Sequence, residues 1–406
     1  MKIISGGVCA PKGFRANGIH CGIRRNKSKR DLSLIVSEAP CAGAAVYTRN
    51  KVKGAPLLVT QKHLEDGRAQ AVIVNSGNAN TCNADGVEVA EKIASLAGQA
   101  LGIAPQDVLV ASTGVIGQRL DPSPIEQGLS SLVAGLGSDE EASTRAAEGI
   151  MTTDTVRKEA AVEFTAGGRT CRIGAIGKGS GMIHPDLATM LVFITTDCAI
   201  SSKMLQKALS HDVQKTFNMT SVDGDTSTND NVVLLANGLA GNPEITAEGE
   251  DFTAFMQALN TITVSICRRI AGDGEGATKM LECRVSHAKT ERDARICAKS
   301  VITSSLVKTA MFGADANWGR VLCAIGYSGA DVNVNKVELS FRSKAGEVLV
   351  CRDGSGVDFS EETAKKVLLE KEIDILIDLH DGEAGATAWG CDLTYDYVKI
   401  NGDYRT

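Results

Sequence analysis

The chain alternates short runs of β-branched and other apolar residues with longer stretches of helical periodicity. In the N-terminal half, LSLIVS (32–37) and AGAAVYT (42–48) predict two consecutive strands. AQAVIVNSGNAN (69–80) predicts a buried strand that runs into a polar Asn/Ser/Gly loop. Residues 86–101 carry apolar side chains at helical spacing, and Gly102 follows as a stop signal. DVLVASTGVIG (107–117) again predicts a strand ending in a loop of small residues. Residues 157–181 hold an alternating run, a Gly-Gly turn and a second run, the pattern of a hairpin. TMLVFITTDC (189–198) predicts a central strand, since apolar and β-branched residues fill it without alternation.

The C-terminal half repeats the mixture. Helices are predicted over 202–217, 251–270 and 288–307. Strands are predicted at VVLLAN (232–237), VELSFR (337–342), EVLVCR (347–352), EIDILIDLH (372–380) and in the tail, TYDYVKI (394–400). No repeat, low-complexity stretch or linker interrupts the pattern. The fold class expected is α/β, with α+β layering of sheets and helices.

Composition narrows the function. At 43% hydrophobic and 23% charged, 406 residues suffice for a large core and exclude a disordered chain. No apolar run reaches the roughly 18 residues of a membrane span. The start MKIISGGVCAPKGF lacks a signal peptide's apolar centre, so a cytoplasmic location is expected. A net charge of -6 argues against a nucleic-acid partner. The 12 cysteines are scattered without a CxxC pair, as small buried hydrophobes in a reducing compartment would be. The six histidines lack HxxxH or HExxH spacing, and DGDTSTND (223–230) lacks the EF-hand glycine and glutamate positions. Neither a metal nor an organic cofactor is expected. The acidic loop reads instead as a turn lining a site, fixed by Asx-type hydrogen bonds.

Three loops follow apolar runs and are rich in small polar residues: NSGNAN (75–80), STGVIG (112–117) and GKGSGMIHPDLAT (177–189). Strand-end loops commonly carry sites, although each alone reads equally as a tight turn. A phosphate-binding reading fails on spacing. Walker A needs a glycine where Arg172 stands and Ser or Thr where Gly179 stands. GDGEGATK (272–279) has Ala277 in place of the last glycine of GxGxxG, and Glu275 would repel phosphate. Thr189 offers other chemistry. As the first residue of a chain, its own α-amine, with a pKa of about 7.7–8.0, would serve as base for its hydroxyl. That requires cleavage of the Ala188–Thr189 bond by the hydroxyl itself, and the preceding glycines permit the strained backbone this needs. On pattern alone, Thr189 reads better as a β-branched strand residue like Thr195 and Thr196.

KGSGMI-P-ATML, formed by Lys178–Ile183, Pro185 and Ala188–Leu191, closely resembles the signature of the ornithine acetyltransferase family, also called glutamate N-acetyltransferase or ArgJ. NSGNAN, ASTGVIG, TTD (152–154), DGDTSTND, GDGEGATK, FGADANWGR (312–320) and NGDYRT (401–406) resemble further family motifs in family order. The resemblance spans nearly the whole chain. It implies a self-processing N-terminal-nucleophile fold of the kind shared with related aminopeptidases. It implies cleavage into an α chain, 1–188, and a β chain, 189–406, assembled as α2β2. It implies acetyl transfer from N-acetylornithine to Thr189 and on to glutamate. By the same resemblance Thr113 and Gly114 form the oxyanion hole, and Thr153, Lys178, Thr189, Glu275, Asn401 and Thr406 contact substrate. Glu275 suits an ammonium; Lys178, Asn401 and Thr406 suit polar or anionic ends. The tail strand would then pin Thr406. His184 lies in the cleavage loop, either as a proton-transfer aid or as an ordinary loop residue. Whether acetyl-CoA is a second donor stays open. So do three rival readings: an aminopeptidase-like hydrolase, a nucleotide-binding protein, and a homologue with a dead site.

Overall fold

The computed structural model describes residues 1–184 and 190–403. The expected cleavage pair Ala188–Thr189 and the C-terminal Thr406 therefore lie outside the described residues.

Nine strands make the first sheet: β1 (Lys2–Ile4), β2 (Phe14–Ile19), β3 (Leu32–Tyr47), β4 (Arg68–Asn78), β5 (Val108–Val115), β6 (Lys158–Ala166), β7 (Arg169–Lys178), β8 (Leu191–Thr196) and β9 (Asn231–Ala236). Their order is β1-β6-β7-β8-β9-β3-β4-β5, with β2 also paired to β3. Six make the second: β10 (Met280–Ala288), β11 (Glu338–Ser343), β12 (Gly346–Arg352), β13 (Ser355–Gly356), β14 (Glu372–Asp378) and β15 (Ala384–Cys391), in the order β13-β12-β11-β14-β10-β15. The helices are α1 (Ala55–His63), α2 (Gly86–Leu101), α3 (Ser123–Ala134), α4 (Glu140–Ile150), α5 (Ser202–Lys215), α6 (Glu250–Gly272), α7 (Glu291–Thr303), α8 (Ser305–Phe312), α9 (Trp318–Gly326), α10 (Glu361–Leu368) and α11 (Tyr395–Gly402). The class is mixed α/β, as the sequence predicts.

Helix α4 packs on β2 and β3, whereas α6 packs on β6 and β7 and also on β10 and β15, bridging the two sheets. Strand β8 is buried on both faces. Val192 and Ile194 join the cluster holding Leu205, Phe255, Leu259 and Ile266, while Leu191 and Phe193 join the one holding Ala142, Ala146 and Ile150. That double burial explains a run without polar alternation. Each such side chain taken from water contributes about 1.5–3 kcal/mol.

The two sequence halves are interleaved. Strands β8 and β9, from the part after residue 189, lie between β7 and β3, from the part before it. Neither half has a complete first sheet of its own, so a cut at 188–189 would leave the pieces hydrogen-bonded together along β7–β8 and β9–β3.

Three local expectations need correction. The predicted strands at 32–37 and 42–48 are one strand, β3, whose register with β4 shifts between Val36 and Cys41. Pro40, which has no N–H for a ladder, falls inside that irregularity. The single helix expected over 288–307 is the end of β10 followed by α7 and α8, divided at Ser304, whose side chain accepts from Val307 N as the cap of α8. The predicted tail strand is a helix, α11. The tail does not add to the edge strand β15, and its backbone groups pair within a helix instead. Asp396 in its first turn and Lys399 in its last suit the helix dipole.

All 12 cysteines are free, and only Cys82 and Cys323 are exposed. Burial pushes the Cys41 thiol up to about 12, out of the reactive range. Among the described residues no helix is long and apolar enough to cross a membrane.

Candidate active site

The three small-residue loops converge, as expected for strand-end loops. They enclose a cavity of about 310 Å³ whose lining includes Thr113, Gly114, Thr153, Lys178, Glu275 and Asn401. Six of the expected site residues are thus brought together from five separate segments. Ala188, Thr189 and Thr406 lie outside the described residues.

Thr113 and Gly114, the pair expected to form an oxyanion hole, sit where parallel strands β4 and β5 end. Gly77 is in register with Gly114, and the ladder shifts at Asn78. Gly114 has φ +135°, and a Cβ there would stand 2.3 Å from the Gly77 carbonyl carbon and 2.5 Å from Asn78 N. No other residue fits so close to a neighbouring backbone. Lys178 Nζ donates to Thr113 Oγ1 at 3.4 Å. An ammonium only donates, so the Thr113 oxygen accepts and its own proton is free to point into the cavity. Burial pulls the Lys178 pKa down, while Asp154, Asp230 and Glu275 hold it up.

One buried cation organises the walls. Lys158 is fully buried, with Nζ 2.6 Å from both Asp154 Oδ1 and Asp273 Oδ2. Asp154 also accepts from Gly179 N at 2.8 Å and Thr152 N at 2.9 Å. Asp273 accepts from Thr155 N at 3.0 Å, and its carbonyl accepts from Ser180 Oγ at 2.6 Å. Glu275 N in turn donates to Ser180 O at 3.0 Å. The loops holding Thr153, Lys178 and Glu275 therefore share one anchor. Burial opposes the charge on Asp154, but Lys158 and Lys178 outweigh it and hold the carboxyl below the usual range. Sequence reasoning missed this trio. Its members lie 4 and 115 residues apart, and no spacing rule joins them.

Glu275 is buried, and its Oε2 accepts from Asn401 Nδ2 at 2.8 Å. A Cβ on Gly181 would come within 2.5 Å of the Glu275 carboxylate, so that wall also has no spare room. Helix α11 carries Asn401 and is tied down by Thr394 Oγ1, which donates to Gly276 O at 2.7 Å. Asp223 and Asp225 share the lining, so this cavity favours a cation beside its one lysine.

The acidic loop is the Asx-type turn expected. Asp225 N donates to Asp223 Oδ1 at 3.2 Å, and Met182 N and Ile183 N donate to the same carboxylate at 2.6 and 2.9 Å. Thr226 Oγ1 donates to His184 O at 2.8 Å, and Asn231 N donates to Met190 O at 3.0 Å. This loop and the first residue of β9 after it thus hold the two chain ends that flank 185–189. His184 Nδ1 lies 3.1 Å from Ser221 Oγ.

Asp230 is a buried carboxyl whose Oδ2 has no hydrogen-bond partner among the described residues. Burial raises its pKa well above the usual carboxylate value, against the opposing pull of Ser227 and Lys178. A raised carboxyl pKa means that the folded state holds the proton longer, so stability falls as pH rises from the unfolded pKa through the folded one. Asp230→Asn lacks that titration. Its melting temperature relative to the parent is expected to climb between pH 5 and pH 8, and a constant difference in thermal denaturation would refute the assignment.

Among the described residues, one group of His and acidic side chains is close enough to ligate a metal: His287, Asp378 and His380, joined by the parallel pairing of β10 and β14. None of them lines the cavity.

Fold and cavity together define a mixed α/β protein whose candidate site is assembled from strand ends, with the Thr113–Gly114 backbone beside a pocket lined by carboxylates. The ArgJ family model matches residues 15–406. The chain is 50% identical over 407 residues to the arginine biosynthesis bifunctional protein ArgJ of Caldanaerobacter subterraneus subsp. tengcongensis, covering 100% of both chains. It is 51% identical over 408 residues to the protein of the same name from Symbiobacterium thermophilum, again covering 100% of both. A crystal structure of the arginine biosynthesis bifunctional protein ArgJ from Bacillus halodurans is similar at 45% identity and a TM-score of 0.50, over 53% of this chain and 98% of that one. The chain belongs to the ArgJ family, the enzymes of arginine biosynthesis.

Proposed function

We propose that this chain is an acetyltransferase that moves acetyl from N-acetylornithine to glutamate through an acetyl-Thr189 intermediate, after cleaving itself between Ala188 and Thr189. The observation that carries the reading is the Lys178–Thr113–Gly114 cradle facing the Glu275–Asn401 pair across one small cavity.

The Thr189 amine takes the hydroxyl proton as the oxygen attacks the acetyl carbonyl. The tetrahedral oxyanion receives the Thr113 hydroxyl and the Gly114 N–H, with the Lys178 charge behind them. Collapse breaks the C–N bond, and ornithine leaves with the proton. The amine of glutamate then attacks the ester by the reverse path. Glu275, fixed by Asn401, pairs with a substrate ammonium in a desolvated setting. Thr153 shapes the adjoining wall, and Thr406 is assigned to the substrate by resemblance alone.

Interleaved strands support self-cleavage, since a nicked chain keeps its sheet intact. The half-length of the Bacillus halodurans chain also supports it: that chain matches 53% of this one, and residues 189–406 are 218 of 406. Assembly of the two pieces as α2β2 belongs to the same proposal and is checked by native mass.

The test is an assay of purified protein with N-acetylornithine and glutamate. Ornithine and N-acetylglutamate are expected in equal amounts. Release of acetate with no transfer to glutamate would favour the hydrolase reading instead. Thr113→Ala is expected to lower kcat by roughly 10²–10³, the effect of losing one oxyanion donor. A rate within twofold of the parent would remove Thr113 from the site.

A further inference from the structure

The histidines show no metal motif along the chain, but the fold brings two of them to one carboxylate. Strands β10 and β14 run parallel, with Ser286 in register with Asp378, so His287 and His380 follow at two neighbouring strand ends. His287 Nδ1 lies 2.7 Å from Asp378 Oδ2, and His380 Nδ1 lies 3.3 Å from Asp378 Oδ1. The ring centroids are 6.2 Å apart and the planes differ by 11°, so the two imidazoles flank the carboxylate. One ligating atom from each of the three residues lies within 4.8 Å of the other two.

The backbone sets this cluster apart from an ordinary surface ion pair. Both histidines sit in the left-handed region, at φ +52° and +46°. That region favours glycine, and side chains kept there at a cost point to a use for them. His287 also falls in the bulge of β10 against β15, between Val285 and Ala288, and bulges re-aim side chains. The turn is held in place: Leu379 N donates to Ser286 O at 3.1 Å, Asp381 N to His287 O at 2.8 Å, and His380 N to Asp378 Oδ1 at 2.9 Å. The neighbouring cations Lys289 and Lys336 are engaged by Asp381, at 3.4 and 2.7 Å.

We propose that His287, Asp378 and His380 bind one divalent transition-metal ion of the zinc class, with water in its remaining positions. Two imidazoles and a carboxylate suit Zn²⁺, Ni²⁺ or Cu²⁺, whereas Mg²⁺ and Ca²⁺ favour sets of oxygen alone. Ligands at about 2.1 Å from a tetrahedral ion stand about 3.4 Å from one another. The two N–O distances are already near that value, and the half-exposed rings can turn to meet it. Each neutral ring then keeps its proton on Nε2 and offers the Nδ1 lone pair. The ion joins the ends of β10 and β14 away from the first cavity, so this inference stands apart from the acyl-transfer reading.

The test titrates Zn²⁺ into the untagged, metal-free wild-type protein and into the His287→Gly/His380→Gly variant, by calorimetry and by thermal denaturation. Glycine suits both backbone positions, so the variant is expected to fold and, without metal, to melt no lower than the parent. The His287→Asn/His380→Asn variant, which also tolerates this backbone, provides a second comparison. The wild-type protein is expected to bind one ion per chain at this site and to melt at higher temperature as Zn²⁺ is added, while Mg²⁺ has no effect. Both variants are expected to bind about tenfold more weakly or worse and to lose the melting shift. Co²⁺ in the wild-type protein is expected to give visible bands without thiolate-to-metal charge transfer. Equal zinc affinity in parent and variants, or thiolate charge transfer from the exposed Cys82 or Cys323, would place the ion elsewhere and overturn the proposal. A wild-type protein whose melting ignores zinc would overturn it too.

Discussion

Thr189→Ala is expected to leave one uncut chain of 42.6 kDa and to abolish acetyl transfer. Both losses have the same cause. The hydroxyl that attacks the Ala188 carbonyl during processing later attacks the acetyl carbonyl, and without it neither bond forms. Removing a covalent nucleophile costs on the order of 10⁴ or more in turnover, because the oxyanion donors and binding contacts that remain supply only part of the acceleration. Thr189→Ser keeps both the hydroxyl and the future α-amine, so it is expected to process and to retain measurable transfer. Denaturing electrophoresis and the exchange assay check both variants. An uncut alanine variant with parental activity would show that the nucleophile is another residue. A cut alanine variant would show that the hydroxyl does not cleave the chain.

Lys158→Met is expected to cause the largest loss of stability, of about 3–5 kcal/mol, since it strands two buried carboxylates with no counter-ion. The pH dependence of that loss follows from Asp154. In the parent its pKa is depressed, so its contribution is complete above the ordinary carboxylate value and disappears as pH falls below it. In the variant the buried Asp154 carboxyl lacks its cation and resists ionisation, so the variant weakens as pH rises. The gap in melting temperature should therefore be wider at pH 8 than at pH 5. Activity is expected to fall with it, because the loops of Thr153, Lys178 and Glu275 lose their shared anchor. Adding Asp154→Asn and Asp273→Asn to Lys158→Met replaces the charges with neutral hydrogen-bonding groups and should recover part of the stability. A gap that is small and independent of pH would contradict the network.

The strands were readable wherever apolar runs met small polar loops. Those junctions at 75–80, 112–117 and 177–183 are where the cavity forms, because a glycine or threonine at a strand end exposes backbone N–H and hydroxyl groups to a ligand. Alternation could not reveal that β8 and β9 insert between β7 and β3, since strand order depends on long-range pairing. The aromatic and β-branched residues of 394–400 suggested a strand, yet β propensity expresses packing on a sheet, and no sheet edge receives this segment. The roles of Thr113, Lys178, Glu275 and Asn401 came from resemblance, and geometry then placed them around one cavity. Asp154 and Asp273 lie in the motifs TTD and GDGEGATK, but nothing in the sequence joined them to each other or to Lys158. Lysine and aspartate are ordinarily surface residues, and only the fold shows these three buried on one another.

The most direct test of the account is the intact mass of the wild-type protein, measured under denaturing conditions after incubation with N-acetylornithine and no glutamate. The account predicts two chains, 1–188 and 189–406, with one acetyl group on the second chain at its N-terminal residue, which is lost when glutamate is added. A fully active preparation made of one unbroken chain, or rapid turnover with no acetylated chain at any time, would contradict it.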